Sequence, residues 1–408
     1  MRALSILLAA LACACTAARP AGKQALPPAC DVLPILGDVR PTAIAGDAEG
    51  GLAVVGTSRT GRVRAGSGDA AEARAFVLRI APDGEVRWIR PVPGEHPLAV
   101  AFLHDEVVVA GEAQKRCFIT RFSADGRQVW NVALGGENRS ACNAIAADAG
   151  DDLWAAGSFS GTIGPVRSGG PADAFVIRGA GATGELKLVR AFGGAGTDSA
   201  AAIAVTSAGE VVVAGSFAGD VDPSQSAVDF GKGEIEGSGG TDGYVLTLSP
   251  AGVTRAMAIA GEAGDDAVGA LATAGNGVFA LATLHADSRN VACSGQVAVL
   301  RPGEWAHVFE GCLAGRGLTV DGEGRIWALV QAGKGLSALA IAPRDGALLG
   351  SRTWAQDGTT LRGAGIARVP GGFAIAGQTD GELIACGRPV GSSGELTGFV
   401  LWLRDIVR

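Results

Sequence analysis

A motif of about fifty residues recurs seven times along the 408-residue chain, and this repetition limits the folds it can adopt. Each copy contains an Ala-rich strand, a short polar turn and a Val- and Ala-rich strand. The second strands of the copies end at Gly56, Gly111, Gly157, Gly215, Ala282, Val330 and Gly377. Repeats of this length indicate stacked supersecondary units rather than one large core.

Each copy continues with two further strands. The third strands have alternating apolar residues and lie at 76–80, 118–122, 175–178, 244–248, 297–300, 338–341 and 399–403. Turn sequences such as 82–84 and 344–346 follow six of them and supply the positive φ that tight hairpins need. Tryptophans mark four of the fourth strands, at Trp88, Trp130, Trp305 and Trp354. Four antiparallel strands in each of seven units predict an all-β, seven-bladed β-propeller.

The two ends of the chain indicate how the ring closes. In the seventh copy, the third strand is not followed by a fourth strand. A spare apolar strand at 31–36 precedes the first copy. Pairing of the two would complete the seventh blade and remove exposed sheet edges. An open β-solenoid or a row of sandwiches leaves this match unexplained, so we expect a closed ring.

The first residues indicate export. Arg2 precedes an apolar stretch at 4–12 that is too short to span a bilayer, which is typical of a cleaved signal peptide. The following cysteines resemble the lipid-attachment site of bacterial lipoproteins, with Cys15 favoured and Cys13 as the alternative; an ordinary secreted protein remains the other interpretation. The expected organisation is a signal peptide (1–14), a flexible tether (15–29) and the propeller (30–408).

Charge and composition restrict the partners. The formal net charge is −7 and no basic block occurs, which argues against nucleic acid. We expect a monomer held at the membrane by a lipid anchor, at the outer membrane or cell surface. A periplasmic or secreted location is the alternative.

Six cysteines follow the signal, and an exported chain favours disulfides over metal sites. They are Cys30, Cys117, Cys142, Cys293, Cys312 and Cys386. In a blade, the loop between strands two and three shares a face with the link to the next blade. Cys117 lies at the start of a third strand and Cys142 is expected in the link that follows the blade, and Cys293 and Cys312 repeat this placement, so each of the two pairs fits that geometry. Elimination leaves Cys30 with Cys386, although the two would start at opposite faces.

The sequence contains no recognisable catalytic or metal-binding pattern, and we expect neither a cofactor nor a catalytic residue. The histidines are His96, His104, His285 and His307, and no two have a metal-binding spacing. Residues 157–161 lack the serine of a nucleophile elbow. The acidic segments 220–229 and 265–266 could in principle bind calcium, but neither matches the pattern of a calcium-binding loop. We therefore expect both to be solvated loops.

Two aspartates precede third strands, namely Asp173 and Asp242. A carboxylate there can accept hydrogen bonds from the backbone of the turn, so we expect both to be structural. The glycine-rich segment 193–198 is interpreted as a turn. All seven tryptophans fall on strands and are expected to pack between blades.

The central copies resemble a known repeat. Residues 193–205, 212–217 and 242–245, together with the matching 144–147, 156–161 and 173–176, resemble the bacterial SBBP repeat (seven-bladed β-propeller repeat). This resemblance implies a propeller in an exported protein and carries no catalytic residues. Segments 83–88 and 125–130 also resemble quinoprotein-like propellers, one of which is an outer-membrane lipoprotein that assists β-barrel assembly.

The hypothesis for function is a non-enzymatic binding or scaffold module at the bacterial envelope, with a protein or an envelope glycan as partner. The longest insertions, 57–74, 159–172 and 217–243, all connect strands two and three and are expected to gather on one face. An outer-envelope assembly factor is one alternative. A propeller enzyme acting on glycans is another, disfavoured because the innermost strands are rich in alanine.

Overall fold

The computed structural model describes residues 30–404, except 67–69, 137, 219–227, 239, 262–263, 285–294 and 393. The expected signal and tether, with Cys13 and Cys15, lie outside the described residues, as do Cys293, His285 and most of the acidic segment 220–229. Within the described ranges, no helix is long and apolar enough to cross a membrane.

The described strands follow the chain in this order. Strand β1 (Cys30–Leu36) comes first. Blade one and its insertion contain β2 (Val39–Gly46), β3 (Leu52–Ser58), β4 (Arg62–Ala65), β5 (Ala70–Glu72), β6 (Ala75–Ile80) and β7 (Val86–Pro91). Blade two contains β8 (His96–Leu103), β9 (Glu106–Ala113), β10 (Arg116–Phe122) and β11 (Gln128–Leu134). Blade three and its insertion contain β12 (Ser140–Ala147), β13 (Asp152–Phe159), β14 (Thr162–Ile163), β15 (Val166–Arg167), β16 (Asp173–Ala180) and β17 (Leu186–Phe192).

The second half repeats the pattern. Blade four and its insertion contain β18 (Ser199–Val205), β19 (Val211–Ala218), β20 (Val228–Asp229), β21 (Glu234–Ile235), β22 (Thr241–Leu248) and β23 (Thr254–Ala260). Blade five contains β24 (Ala267–Ala274), β25 (Gly277–Leu284), β26 (Gln296–Arg301) and β27 (Trp305–Phe309). Blade six contains β28 (Leu313–Val320), β29 (Ile326–Ala332), β30 (Gly335–Ile341) and β31 (Leu348–Trp354). Blade seven and its insertion contain β32 (Leu361–Val369), β33 (Gly372–Thr379), β34 (Leu383–Ala385), β35 (Arg388–Val390) and β36 (Thr397–Arg404).

Seven small antiparallel sheets form a closed ring, which confirms the predicted seven-bladed propeller. The first strand of each blade is innermost and packs against the first strands of both neighbours, including β2 against β32. Strand β1 completes blade seven by pairing with β36, with Asp31 opposite Trp402 and Ile35 opposite Gly398. The predicted closure by the spare N-terminal strand is therefore confirmed.

Seven apolar clusters hold the described part of the ring together, and each lies between two neighbouring blades. The cluster between blades seven and one, for example, packs Val400 and Trp402 against Leu52 and Phe76. Because the middle strands of a blade have neighbours on both faces, their side chains are buried on both faces. This explains why the second and third strands read as continuous runs of Val, Ala, Ile and Phe.

Outer-strand tryptophans join three of the blades to the next one, in line with the predicted packing between blades. The indole Nε1 of Trp88 donates to the carbonyl oxygen of Ala124 in the following blade at 2.8 Å. Its ring lies against Gly126, which has a φ of +83° and where an added Cβ would lie 2.8 Å from Trp88. Equivalent bonds join Trp130 to Gly181 and Trp305 to Pro343. These tryptophan rings pack between blades, and the turn glycines leave room for them because glycine has no side chain.

The Cys117–Cys142 disulfide is present as predicted and links blade two to blade three. The position expected for Cys142 was wrong, however, because it lies inside the innermost strand β12 and not in the link between blades. Cys312 is also disulfide-bonded, while its expected partner Cys293 lies outside the described residues.

The Cys30–Cys386 disulfide is also present, despite the opposite starting faces of its two cysteines. The reason is the path of the insertion in blade seven. Its hairpin of β34 and β35 lies along the outer edge of the blade, where Arg388 also meets Asp31 at 3.0 Å. The hairpin thereby brings Cys386 to the start of β1, at the face opposite to the one from which the insertion leaves.

The same path corrects the expectation that the insertions gather on one face. They leave from that face, but their hairpins pack against outer strands. Strands β4 and β5 from blade one extend the sheet of blade seven to six strands, with Ile35 opposite Ala65. In blade four, buried Phe230 packs against Phe192 of blade three and Tyr244 of its own blade. The described parts of these insertions therefore pack along the grooves between neighbouring blades.

Candidate functional site

The innermost strands share an irregularity that shapes the centre of the ring. In all seven blades, the first strand carries one extra residue where its register shifts against the second strand. Such bulges bend a strand and change the direction of local side chains. The extra residues are Thr42, Leu98, Asn143, Ala201, Gly269, Arg316 and Ala364.

Two of these extra residues bond one blade to the next. The Thr42 hydroxyl donates to the carbonyl oxygen of Pro97 at 2.6 Å, and the Asn143 amide donates to that of Ala200 at 2.9 Å. Pro97 and Ala200 each directly precede the extra residue of their own blade. These two bulges therefore join blade one to blade two and blade three to blade four near the axis.

Three arginines occupy the innermost strands on the face from which the insertions leave, here termed the insertion face. Arg40 and Arg362 each lie two residues before the extra residue, in blades one and seven, and Arg316 is itself the extra residue of blade six. All three are exposed, and within the described part of the chain none forms an ion pair or a side-chain hydrogen bond. We call these three residues the arginine arc.

Arg316 and Arg362 lie close enough to influence each other. A Cβ added at Gly363 would lie 3.5 Å from the Cβ of Arg316, so the two strands approach closely here. Arg316 is exposed as a residue but its guanidinium is partly desolvated, and this desolvation, followed by the positive charge of Arg362, lowers the pKa of the guanidinium. An unneutralised pair of like charges at this position is electrostatically unfavourable.

A cavity of about 350 Å³ lies beside the arc, between blades one and two. Its walls are formed by Arg40, Thr42, Thr57, His96, Pro97, Leu98, Glu112 and Arg139. Glu112 is held by Arg139, with Oε2 and Nη2 2.7 Å apart, and this contact raises the pKa of Arg139. Arg40 is therefore the cation of the cavity that has no carboxylate partner among the described residues.

The opposite face of the ring differs in charge pairing. Arg79 is buried there and binds Asp47 at 2.6 Å while stacking over Phe102. Burial opposes ionisation of Asp47, but hydrogen bonds from Arg79 and from turn amides outweigh it and lower the pKa of the carboxyl. Arg178 and Arg325 at that face also have carboxylate partners. The arginines of the arc lack such partners.

Buried carboxylates lie at the insertion-face ends of strands in blades three and four, with Asp173 at the start of β16, Asp242 at the start of β22 and Asp198 just before β18. Asp173 accepts bonds from the backbone N–H groups of Gly169 and Gly170, and Asp242 accepts one from Ser238, which confirms the structural role predicted for both. Asp198, fully buried, accepts from the N–H groups of Gly194 and Ala218. Burial raises the pKa of Asp198 to about 6, and the nearby charge of Asp173 adds to that effect.

The remaining predicted residues are dispersed. His96 lines the cavity, His104 pairs with Asp151 at 2.7 Å at the opposite face, and His307 lies on the outer strand β27. No group of three or more His, Cys, Asp or Glu side chains able to hold a metal ion occurs among the described residues.

Sequence reasoning missed the arginine arc. Its members are far apart along the chain and follow no short motif. An alignment of the seven copies on their bulges places Arg40 and Arg362 in one column, and this is the signal that could have revealed them.

Comparison with known proteins supports the fold alone. No protein-family model matches the chain, and no curated protein matches it. Among solved structures, the polysaccharide lyase Uly1 is similar with a TM-score of 0.51 and 8% identity over 90% of each chain. The Neurospora crassa Pan2 WD40 domain has a TM-score of 0.47 and 12% identity over 89% of each chain. A quinohemoprotein alcohol dehydrogenase from Pseudomonas putida HK5 has a TM-score of 0.45 and 9% identity, covering 91% of this chain and 77% of that one. The neighbours thus include enzymes and a WD40 domain.

Proposed function

We propose that the protein is a non-enzymatic binding module of the bacterial envelope, tethered to a membrane by lipid at Cys15, or alternatively at Cys13. The ligand would bind the insertion face near the axis. The observation that carries the proposal is the unpaired arginine arc beside an open cavity. Arginine stays cationic at physiological pH and presents a planar fork of donors, which suits binding better than proton transfer.

The rigidity of the surrounding frame supports a binding role. Bonds between blades at Thr42 and Asn143, together with the Cys117–Cys142 disulfide, hold the innermost strands of blades one to four in place, and Arg40 lies on the first of these strands. A site on rigid strands loses little conformational entropy when a ligand binds. The propeller would therefore present a preformed surface.

Export and tethering rest on separate observations. The disulfides favour an extracytoplasmic location, since cytosolic thiols are kept reduced. The apolar stretch at 4–12 and the resemblance to SBBP repeats agree with an exported protein. Mass spectrometry of the N-terminus of the mature chain tests the lipid anchor. A mature chain that begins before Cys13 and carries no lipid on Cys13 or Cys15 would contradict it.

The binding role is tested by photo-cross-linking in intact cells. A photoreactive residue replaces His96, which is exposed and lines the cavity, or Glu49, which is exposed in a turn at the opposite face. We expect a specific adduct from position 96 and none from position 49. Equal labelling at both positions, or none at 96, would contradict a binding surface on the insertion face.

A glycan-cleaving enzyme is the second candidate, because His96 lies in the same cavity as Arg40. An imidazole can take the C5 proton of a uronate whose carboxylate an arginine neutralises, and the released electron pair forms the C4=C5 double bond as the C4–O bond breaks and the departing glycan oxygen takes a proton from water. Release of unsaturated uronates, followed by ultraviolet absorbance and abolished in His96→Ala, would favour this candidate over the binding module.

A further inference from the structure

We infer that the arginine arc binds a ligand carrying two or more carboxylate groups. This inference rests on the proposed binding function and specifies the class of ligand. The arc offers three cations on three consecutive blades, so one ligand group cannot occupy all of it. A molecule with several anionic groups can neutralise the arc as a whole.

The first argument is the lack of internal partners. Arg40, Arg316 and Arg362 have neither a carboxylate nor a carbonyl partner among the described residues. Exposed arginines commonly lack partners, but these three lie together on the innermost strands of adjoining blades. Arg79 on the opposite face is neutralised by Asp47. The arc therefore keeps its positive charge for an external group.

The second argument is electrostatic. Arg316 lies beside Arg362, and their mutual repulsion weakens when an anion binds between them. Guanidinium groups bind carboxylate oxygens through two parallel hydrogen bonds, which are stronger than neutral ones. The chain has a net charge of −7, so its surface elsewhere attracts anions less than the arc does.

The third argument is the neighbouring cavity. Arg40 belongs to the arc and also lines the cavity of about 350 Å³, together with Thr57 and His96. A hydroxyl and an imidazole are uncharged partners for the hydroxyl groups of a ligand. Both an acidic sugar chain and a small polycarboxylate offer the required anionic groups with hydroxyls beside them.

The test is calorimetric titration of the purified full chain with trigalacturonate, citrate and neutral maltotriose. We expect at least one anion to bind, with an affinity that falls as sodium chloride is added. Arg316→Ala and Arg362→Ala should each weaken this binding by about tenfold or more, because each removes a charged pair of hydrogen bonds. Arg87→Ala, an exposed arginine on the outer strand β7, is the matched control and should bind normally.

The outcomes separate the possible ligand sources. Binding of trigalacturonate alone supports an acidic glycan, and binding of citrate alone supports a small polycarboxylate. Failure of both anions to bind would overturn the inference, as would equal affinity in Arg316→Ala, Arg362→Ala and Arg87→Ala, or equally tight binding of maltotriose. A specific cross-link at position 96 together with such a failure would leave the binding function intact and reject only the ligand class.

Discussion

The Thr42 hydroxyl and the Pro97 carbonyl oxygen lie 2.6 Å apart and join the innermost strands of blades one and two. Asn143 and Ala200 repeat this bond between blades three and four. Both donors are the extra residues of their bulges, so the irregularity of the strand is what directs them to the next blade. The polar side chains at these two bulge positions therefore bond neighbouring blades of the ring to each other.

Thr42→Val removes the inter-blade hydroxyl while keeping a β-branched side chain. We expect a loss of about 1 kcal/mol in the free energy of unfolding, because the Pro97 carbonyl loses this donor. Urea denaturation measures the loss. Thr247→Val, at a strand threonine whose hydroxyl has no bond among the described residues, is the control and should change stability less. Equal effects of the two variants would contradict the assigned role.

The two described disulfides should contribute unequally to stability. Cys30–Cys386 spans 356 residues of sequence and Cys117–Cys142 spans 25. In the chain-entropy account, the longer loop stabilises by roughly 6 kcal/mol and the shorter by about 3.5 kcal/mol. Double substitution to alanine of each pair, followed by thermal unfolding, compares them. A larger loss from removing Cys117 and Cys142 would show that loop length does not decide the difference.

Gly126→Ala should destabilise the protein by about 3 kcal/mol, of which the backbone at positive φ accounts for about 1 kcal/mol and overpacking against Trp88 for the rest. Gly84→Ala is the matched control. It has a φ of +92° in the equivalent turn of blade one, and an added Cβ there meets nothing within 4 Å. Chemical denaturation of both variants isolates the contact with the indole. Identical losses would mean that Trp88 moves aside at no cost.

The sequence was sufficient to predict the ring. The apolar alternation of the third strands and the spare segment at 31–36 predict β36 and its pairing with β1, and both are confirmed. Strand periodicity is local, so it can be read from neighbouring residues. The Cys117–Cys142 bond followed from topology alone, although the place of Cys142 within β12 did not.

The candidate site could not be predicted in the same way. A bulge depends on how two strands pair, and alanine- and glycine-rich strands fit more than one register. The arrangement of Arg316 beside Arg362 therefore became visible only with the register known. The path of the insertion hairpins depends likewise on tertiary packing, such as that of Phe230 against Phe192 and Tyr244.

Asp198 should make the protein less stable as pH rises. Its folded pKa of about 6 lies above the unfolded value of 3.8, so the folded state holds a proton that the unfolded state releases between these values. Stability falls across that window, by an amount on the order of 3 kcal/mol, and stays lower above it. Asp198→Asn should remove this part of the pH dependence, measured by denaturation at a series of pH values. The exposed Asp83→Asn controls for net charge, and an unchanged profile in Asp198→Asn would contradict the assignment.

Arg362→Ala should make the protein less sensitive to salt. In the wild-type chain, salt screens the repulsion between Arg316 and Arg362, and this screening by itself should contribute a rise in the unfolding temperature as sodium chloride is added. Without Arg362 that rise should shrink, and stability at low salt should increase by about 0.5 kcal/mol, the scale of exposed charge pairs. Scanning calorimetry at low and high salt measures both effects, with Arg87→Ala as control. An anion that binds the arc should also raise the unfolding temperature of the wild type more than that of Arg362→Ala, because only the folded wild type binds it tightly. Equal salt responses in all three proteins would show that the two guanidinium groups do not interact, and would remove the electrostatic reason for an anionic ligand.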